Sequence, residues 1–335
     1  MRRVTEKKKN NGTGQNIRTN QSSRTGKNIP TDSGSLTDRN GLTEAEYLKS
    51  YNPGNYKRPS VATDMAIFTV TDGKEDNYRK LPEKELGILL IQRGVHPYLG
   101  AWALPGGFVK PDETTEQAAR RELKEETGLD HVYMEQLYTF SDPGRDPRTW
   151  VMSCSYMALI DSSKVHLEAG DDADNARWFR IAFHLMDEHT EYPEQRPDKE
   201  DRVIRVQHYK LELHSDDIHL QSVIEKSITR TENDTITEYN ITENNGLAFD
   251  HARIITYALE RLRGKVEYSG LALHLMPPEF TLTQLQQVYE VILDKRLLKA
   301  AFRRKAAALV EETDSFTGNE GHRPSRLFRK KWREF

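Results

Sequence analysis

Glu122, Glu125 and Glu126 stand three and four residues apart, a spacing that sets all three carboxylates along one edge of an α-helix. Like charges so placed repel one another unless a cation sits among them. A hard divalent ion such as Mg2+ or Mn2+ takes oxygen ligands and neutralises that charge. An isolated E-x-x-E-E could equally be a solvated acidic face paired to lysines. The helix itself is legible. Thr114 and Gln117 form a T-x-x-Q capping box, residues 118–124 are good helix formers, and Gly128 is placed to end it. Ala119 and Leu123 fall on a different face, free to pack on a core. Ahead of the helix, Trp102-Ala103-Leu104-Pro105 leads into Gly106-Gly107, a loop whose backbone can approach a ligand closely.

The wider spacing decides between the two readings. Gly107, five residues, Glu113, seven residues, Arg121-Glu122-Leu123, one residue, Glu125-Glu126, one residue and Gly128-Leu129 agree with the Nudix box at every defined position. The stretch therefore resembles the Nudix hydrolases. That resemblance implies an α/β/α sandwich with a mixed sheet, and Mg2+-dependent (or Mn2+-dependent) hydrolysis of a nucleoside diphosphate linked to another group. By position, Glu122, Glu125 and Glu126 would be metal ligands, with the Gly106 carbonyl a further oxygen. Glu113 and Arg121 would pair to brace the loop, and Gly107 and Gly128 complete the structural part of the box.

Other candidates lie outside the box. Residues 141–148, Ser-Asp-Pro-Gly-Arg-Asp-Pro-Arg, form a turn-rich loop whose Arg145 and Arg148 suit phosphate oxygens, because a planar guanidinium binds them bidentately. In Nudix enzymes acting on ADP-ribose, loops after the box supply such contacts. Hydrolysis also needs a carboxylate to orient or deprotonate water; Glu168, Asp171 and Asp172 are available in one acidic loop, and the sequence does not choose among them. Residues 61–70, 86–91 and 151–160 have the length and content of strands, giving the order strand, strand, helix, strand. Residues 176–179, with Trp178 and Phe179, read as a strand that closes the sandwich, and residues 203–241 as further antiparallel strands.

The chain has 335 residues, enough for about two domains. Its mean hydropathy of -0.78 and the lack of an apolar run long enough for a membrane span point to a soluble, cytoplasmic protein. The single cysteine, Cys154, excludes an intrachain disulfide and reads as a small core residue. The net charge of -3 is unevenly spread. Residues 1–30 carry eight basic groups against one acid, and residues 251–335 sixteen against ten, so an acidic block lies between two basic ends. Residues 1–41 hold too little apolar surface to offset the entropy of ordering and read as a disordered tail. A short helix over 42–51 follows, and the Nudix-like domain spans 42–245.

Residues 246–335 form a different module. A helix is expected over 249–263, with Gly264 near its end, then a short strand over 271–276. Thr281 to Gln284 is a second capping box, opening a helix that buries Leu285, Val288, Tyr289 and Ile292. A third helix carries Arg303, Arg304 and Lys305, and residues 309–313 and 325–329 are expected to pair as a hairpin. This order is that of a winged helix, with Arg303, Arg304 and Lys305 on the recognition helix and His322, Arg323 and Arg326 on the wing, where they could meet duplex DNA. Packing or dimerisation is the competing use. A Nudix domain followed by a winged helix is similar to the bacterial Nudix-related transcriptional regulators of NAD metabolism and to two-domain ADP-ribose pyrophosphatases. Two functions of different class follow. One is cleavage of ADP-ribose to AMP and ribose 5-phosphate. The alternative is nucleotide sensing with the winged helix as output, in a homodimer on DNA.

Overall fold

The computed structural model describes residues 36–73, 82–161, 163, 176–193, 202–318 and 324–331. It divides into two units, Met1–Lys57 and Arg58–Phe335. Within the first, helix α1 spans Glu44–Ser50 and opens on a capping box in which Thr43 and Glu46 satisfy each other's backbone.

The second unit is built on a ten-stranded sheet: β1 (Ser60–Asp72), β2 (Lys84–Gln92), β3 (Trp102–Ala103), β4 (Gly106–Phe108), β5 (Tyr133–Phe140), β6 (Val151–Leu159), β7 (Ala176–Glu191), β8 (Val203–Ser215), β9 (Ile218–Arg230) and β10 (Thr235–Asn245). The strand order is β10-β9-β8-β7-β2-β1-β6-β5, with β3 on β2 and β4 on β1; only β1 and β6 run parallel. β1 is buried on both faces. Met65 and Ile67 pack with Ala119 and Leu123 of helix α2 (Thr115–Thr127), while Ala66, Phe68 and Val70 belong to a core on the opposite face. Alternation along one strand thus serves two helical layers, as an α/β/α sandwich requires. Cys154 packs beside the α2-side core, as does Trp178.

Helix α3 (His251–Tyr268) fills that opposite face. Ile254, Ile255, Ala258, Leu259, Leu262 and Val266 are all fully buried, so the helix is covered on more than one side. The sheet curls about it: Tyr257 lies 5.2 Å from Tyr138 of β5 and 6.0 Å from Tyr239 of β10, strands at opposite ends of the strand order. Beyond α3 come α4 (Leu282–Leu293), α5 (Lys299–Ala306) and the hairpin β11 (Val310–Phe316) with β12 (Arg326–Lys330). The core around α3 continues without a break into Leu285, Val288, Tyr289, Ile292 and Phe302 of the C-terminal module. Arg263 ties the layers, donating to the Ile292 carbonyl at 2.9 Å and lying 5.5 Å from the Phe183 ring.

Several expectations need correction. The segment 271–276 is not a strand; it forms a 3-10 turn, Leu271–Leu275, and the strand-like pairing falls to Phe280, which exchanges backbone hydrogen bonds with Phe328 of β12 at 2.9 and 2.8 Å. Gly264 lies inside α3 rather than at its end, because the helix stays packed against the core through Val266. β5 is an additional strand, whose mixed polar sequence suits its place at the sheet edge, and β7 runs far beyond residue 179. No helix of the described residues is long and apolar enough to cross a membrane.

A shared core predicts shared unfolding. Leu259→Ala should destabilise the second unit by about 2–5 kcal/mol, the usual cost of emptying a core leucine site. Calorimetry should record a single transition that carries both the sheet and the C-terminal module to lower temperature; a shift confined to one of two resolved transitions would contradict the continuous core.

Candidate functional site

The carboxylate helix begins and ends as its sequence dictates. Thr114 and Gln117 form the capping box, and Gly128, at φ 72°, closes the helix in the left-handed conformation that glycine adopts without strain. β4 crosses in front of it at very close range. A Cβ on Gly107 would lie 2.2 Å from Oε1 of Glu122, and one on Gly106 would lie 2.1 Å from the Thr63 carbonyl oxygen. Side chains are therefore excluded from both positions.

Arg121 organises the acids. Its Nη2 and Nε donate to Glu113 at 2.9 and 3.2 Å, and its Nη1 to Glu122 at 2.7 Å and Glu125 at 3.2 Å. Hydrogen bonds from Arg121 and from the Lys110 backbone N–H hold the Glu113 carboxyl down at about 2. Glu126 is different: it has no hydrogen-bonding or ion-pair partner among the described residues, and burial, then the charges of Glu122 and Glu125, push its pKa from 4.5 to about 6. Burial also raises Glu122. Three oxygen donors brought together on one helix edge, one of them frustrated by its neighbours, fit a hard divalent cation. Glu168, Asp171 and Asp172 lie outside the described residues.

The two loop arginines go to different tasks. Arg145 turns inward, its side chain 6% exposed, and donates bidentately to Asp250 at 2.7 and 3.0 Å and to Asp64 at 3.3 Å. Its fork is filled by carboxylates, so here it is a strut and not a phosphate contact. Asp64 sits in β1 opposite Gly106. Burial would raise its pKa, but the imidazole of His251 and the charge of Arg145 outweigh that and hold it near 2. His251 accepts a hydrogen bond from the Leu104 N–H on Nδ1 at 2.9 Å, which leaves the proton on Nε2, 3.6 Å from Asp64. Residues 246–248 complete this strap: Trp102 N–H donates to the Gly246 carbonyl and Ala248 N–H to the Trp102 carbonyl, both at 2.8 Å.

Arg148 stays at the surface, 43% exposed and paired with Asp146 at 2.7 Å. Its guanidinium lies 5.3 Å from the Phe108 ring and 5.8 Å from that of Phe249, while Arg93 lies 4.9 Å from Phe249 and Tyr98 packs on the same ring at 4.7 Å. Phe249 has φ 50°, a conformation that costs a bulky residue free energy and persists only where its surroundings impose it. Two arginines and three aromatic rings thus meet beside the glycine loop. Burial, then the like charge of Arg148, lowers the pKa of Arg93.

In the C-terminal module, α4 ends at Asp294 in the left-handed conformation, and Glu290 fixes the turn by accepting the Leu297 N–H at 2.8 Å. On α5, Arg303 and Arg304 are exposed and make no side-chain hydrogen bond or ion pair among the described residues. Lys305, expected beside them, turns back instead: its ammonium donates to the carbonyls of Glu267 and Val266 at 2.7 and 3.1 Å and caps the end of α3. Arg326 pairs with Glu312 at 2.6 Å, and Arg329 with Glu311 at 2.6 Å. His322 and Arg323 lie outside the described residues.

Comparison with known proteins places this geometry. Residues 67–201 match the NUDIX domain and residues 272–329 the NrtR DNA-binding winged helix domain. Over 291 residues, 86% of this chain and 88% of the relative, the sequence is 33% identical to the ADPR responsive transcriptional repressor NtrR of Acinetobacter baylyi. The chain belongs to the NrtR family of Nudix-related proteins. Its fold is similar to that of Shewanella oneidensis NrtR crystallised with a 27mer DNA, with a TM-score of 0.52, 27% identity and coverage of 81% of this chain and 93% of that one. An ADP-ribose pyrophosphatase of Methanocaldococcus jannaschii is 42% identical over 126 residues, 38% of this chain and 64% of the relative.

Within this NrtR-type chain, sequence reading found the carboxylates and the free arginines of α5 but missed Arg93, Tyr98, Phe108 and Phe249. They come from three segments far apart in the chain, and no spacing links those segments; Phe108 alone carried a signal, its place next to Gly107. Glu126 supplies a test of the carboxylate cluster. Its folded pKa exceeds the ordinary value, so its ionisation opposes folding, and stability falls as pH rises from about 4.5 through about 6. With chelator at pH 7, Glu126→Gln should melt higher than wild type, and the advantage should vanish at pH 4.5. Mg2+ should then raise the melting temperature of wild type more than that of the variant. A variant that melts lower at pH 7 in chelator would show that Glu126 is not frustrated.

Proposed function

We propose that this chain is a DNA-binding transcriptional regulator whose Nudix domain senses ADP-ribose or a closely related nucleoside diphosphate sugar. The observation that carries this reading is the strap of residues 246–251, which hydrogen-bonds to the glycine-loop segment at Trp102 and Leu104 and runs directly into α3. Its ligand-facing end and its DNA-facing end belong to one packed body. The Acinetobacter relative, named as ADPR responsive, supports the choice of ligand.

In this reading Arg93 and Arg148, two cations held close together, receive the pyrophosphate, since an anion relieves their mutual repulsion. Tyr98, Phe108 and Phe249 offer ring faces to the adenine. Glu122, Glu125 and Glu126 would hold Mg2+, which when bound neutralises phosphate charge. Arg121 keeps Glu113 as its partner and braces the loop. Arg303 and Arg304, with unfilled guanidinium forks, enter the major groove from α5, and a homodimer sets the two half-sites. Arg326 reaches phosphate only by leaving Glu312, so it adds little.

A second reading, ADP-ribose hydrolysis, is favoured by the complete carboxylate set. The two are compatible, because a sensor that slowly cleaves its ligand resets itself. One experiment weighs both. Specific duplex should be selected from a genomic pool at physiological salt, and Arg303→Ala with Arg304→Ala should each cost about 1–3 kcal/mol at the selected site. ADP-ribose should change that affinity by roughly 5–150-fold, the usual range of coupling between sites. Release of AMP with Mg2+, abolished in Glu122→Gln, would establish turnover as well. Enrichment of no sequence, with cleavage retained, would overturn the regulator in favour of the hydrolase.

A further inference from the structure

Outside all of these residues, the β8–β9 hairpin gathers a second set of metal-type donors. Its turn is Asp216-Asp217, with Asp216 at φ 48°, and the register sets His214 directly opposite His219. Glu212, two residues before His214 on the same strand, projects from the same face. One ligand atom from each of the three lies within 4.8 Å of the others, the one such group of His, Cys, Asp and Glu among the described residues. Glu212 Oε1 and His219 Nε2 are 3.5 Å apart, close to the edge of a coordination tetrahedron with bonds of about 2.0–2.1 Å. The two imidazoles stack with centroids 4.3 Å apart and planes 9° from parallel.

We propose that Glu212, His214 and His219 bind a late first-row divalent cation, for which Zn2+ is the fitting probe, and that the ion staples the turn end of the β8–β9 hairpin. Two imidazoles and a carboxylate suit Zn2+, Co2+, Ni2+ or Cu2+, whereas Mg2+ prefers an all-oxygen shell and keeps most of its water. An unprotonated imidazole offers one nitrogen lone pair to a metal. The cations facing the cluster are Lys210, whose Nζ lies 2.9 Å from Glu212, and Arg180, the register partner of His214 on β7. A dication would displace Lys210 from Glu212. It would also turn the rings out of their stack so that both lone pairs converge, a rotation about the soft terminal torsion of histidine. Three protein ligands then leave one position for water.

The test uses tag-free full-length protein in millimolar Mg2+, so that the box carboxylates do not compete. Calorimetric titration with Zn2+ should show one site, and Co2+ should give visible absorption with the intensity of nitrogen-containing, low-coordinate ligation. His214→Gln and His219→Gln should each weaken Zn2+ binding by about tenfold or more, while Glu122→Gln leaves it unchanged. Both histidines lie at the surface end of the hairpin, and equal melting temperatures in chelator will establish that the variants fold. Zn2+ should raise the melting temperature of wild type and not that of the double histidine variant. Equal Zn2+ affinity in wild type and the double variant, or no uptake by wild type, would overturn the proposal.

Discussion

One buried guanidinium fixes the relation between the three parts of this molecule. Arg145 lies between Asp64 of β1 and Asp250 at the start of α3, with almost no access to water. Charges in such a place are costly unless paired and hydrogen-bonded, and removing one partner typically costs about 3–5 kcal/mol by leaving the others uncompensated. The pairing therefore holds as a unit or fails as a unit. Asp64 faces Gly106, Asp250 leads α3, and Arg145 belongs to the loop after β5, so the glycine loop, the post-box loop and the first helix beneath the winged helix are locked to one another.

What that lock transmits depends on α3. A surface helix buries one stripe, but α3 is covered by the curled sheet on one side and by α4 on another. Lys305 caps its far end from the helix that carries Arg303 and Arg304. A displacement of the glycine loop has a packed route to α5 through continuous side-chain contact, with no flexible linker in the described residues between 202 and 318. Packed cores shift between discrete arrangements, which suits the sensing proposed above, where the output must differ between two ligand states.

The sequence disclosed much of this and hid the rest for physical reasons. The box helix was legible because capping, helix propensity and carboxylate spacing are all local, and the same holds for the capping box at Thr281. Arg145 and Lys305 were misjudged because a charged side chain on a turn or helix is read as solvent-facing until its carboxylate or carbonyl partners, far away in sequence, are known. The aromatic platform of Tyr98, Phe108 and Phe249 was invisible because it is assembled from two loops and the end of β4, two of its members in left-handed backbone that no sequence pattern announces. The 3-10 turn at Leu271–Leu275 shows the limit of periodicity, since a short apolar run fits either a strand or a tight helical turn.

The most direct measurement of the central claim is the linkage between the two ligands when the lock is loosened. Asp250→Asn keeps the shape and one acceptor for Arg145 but removes the charge. ADP-ribose affinity and DNA affinity should be measured separately and then together, in wild type and in the variant. Each ligand alone should still bind the variant within a few-fold of wild type, while the factor by which ADP-ribose changes DNA affinity collapses toward one. An unchanged coupling factor in Asp250→Asn would contradict the claim, because the signal would then travel by a route that does not involve Arg145 and the strap.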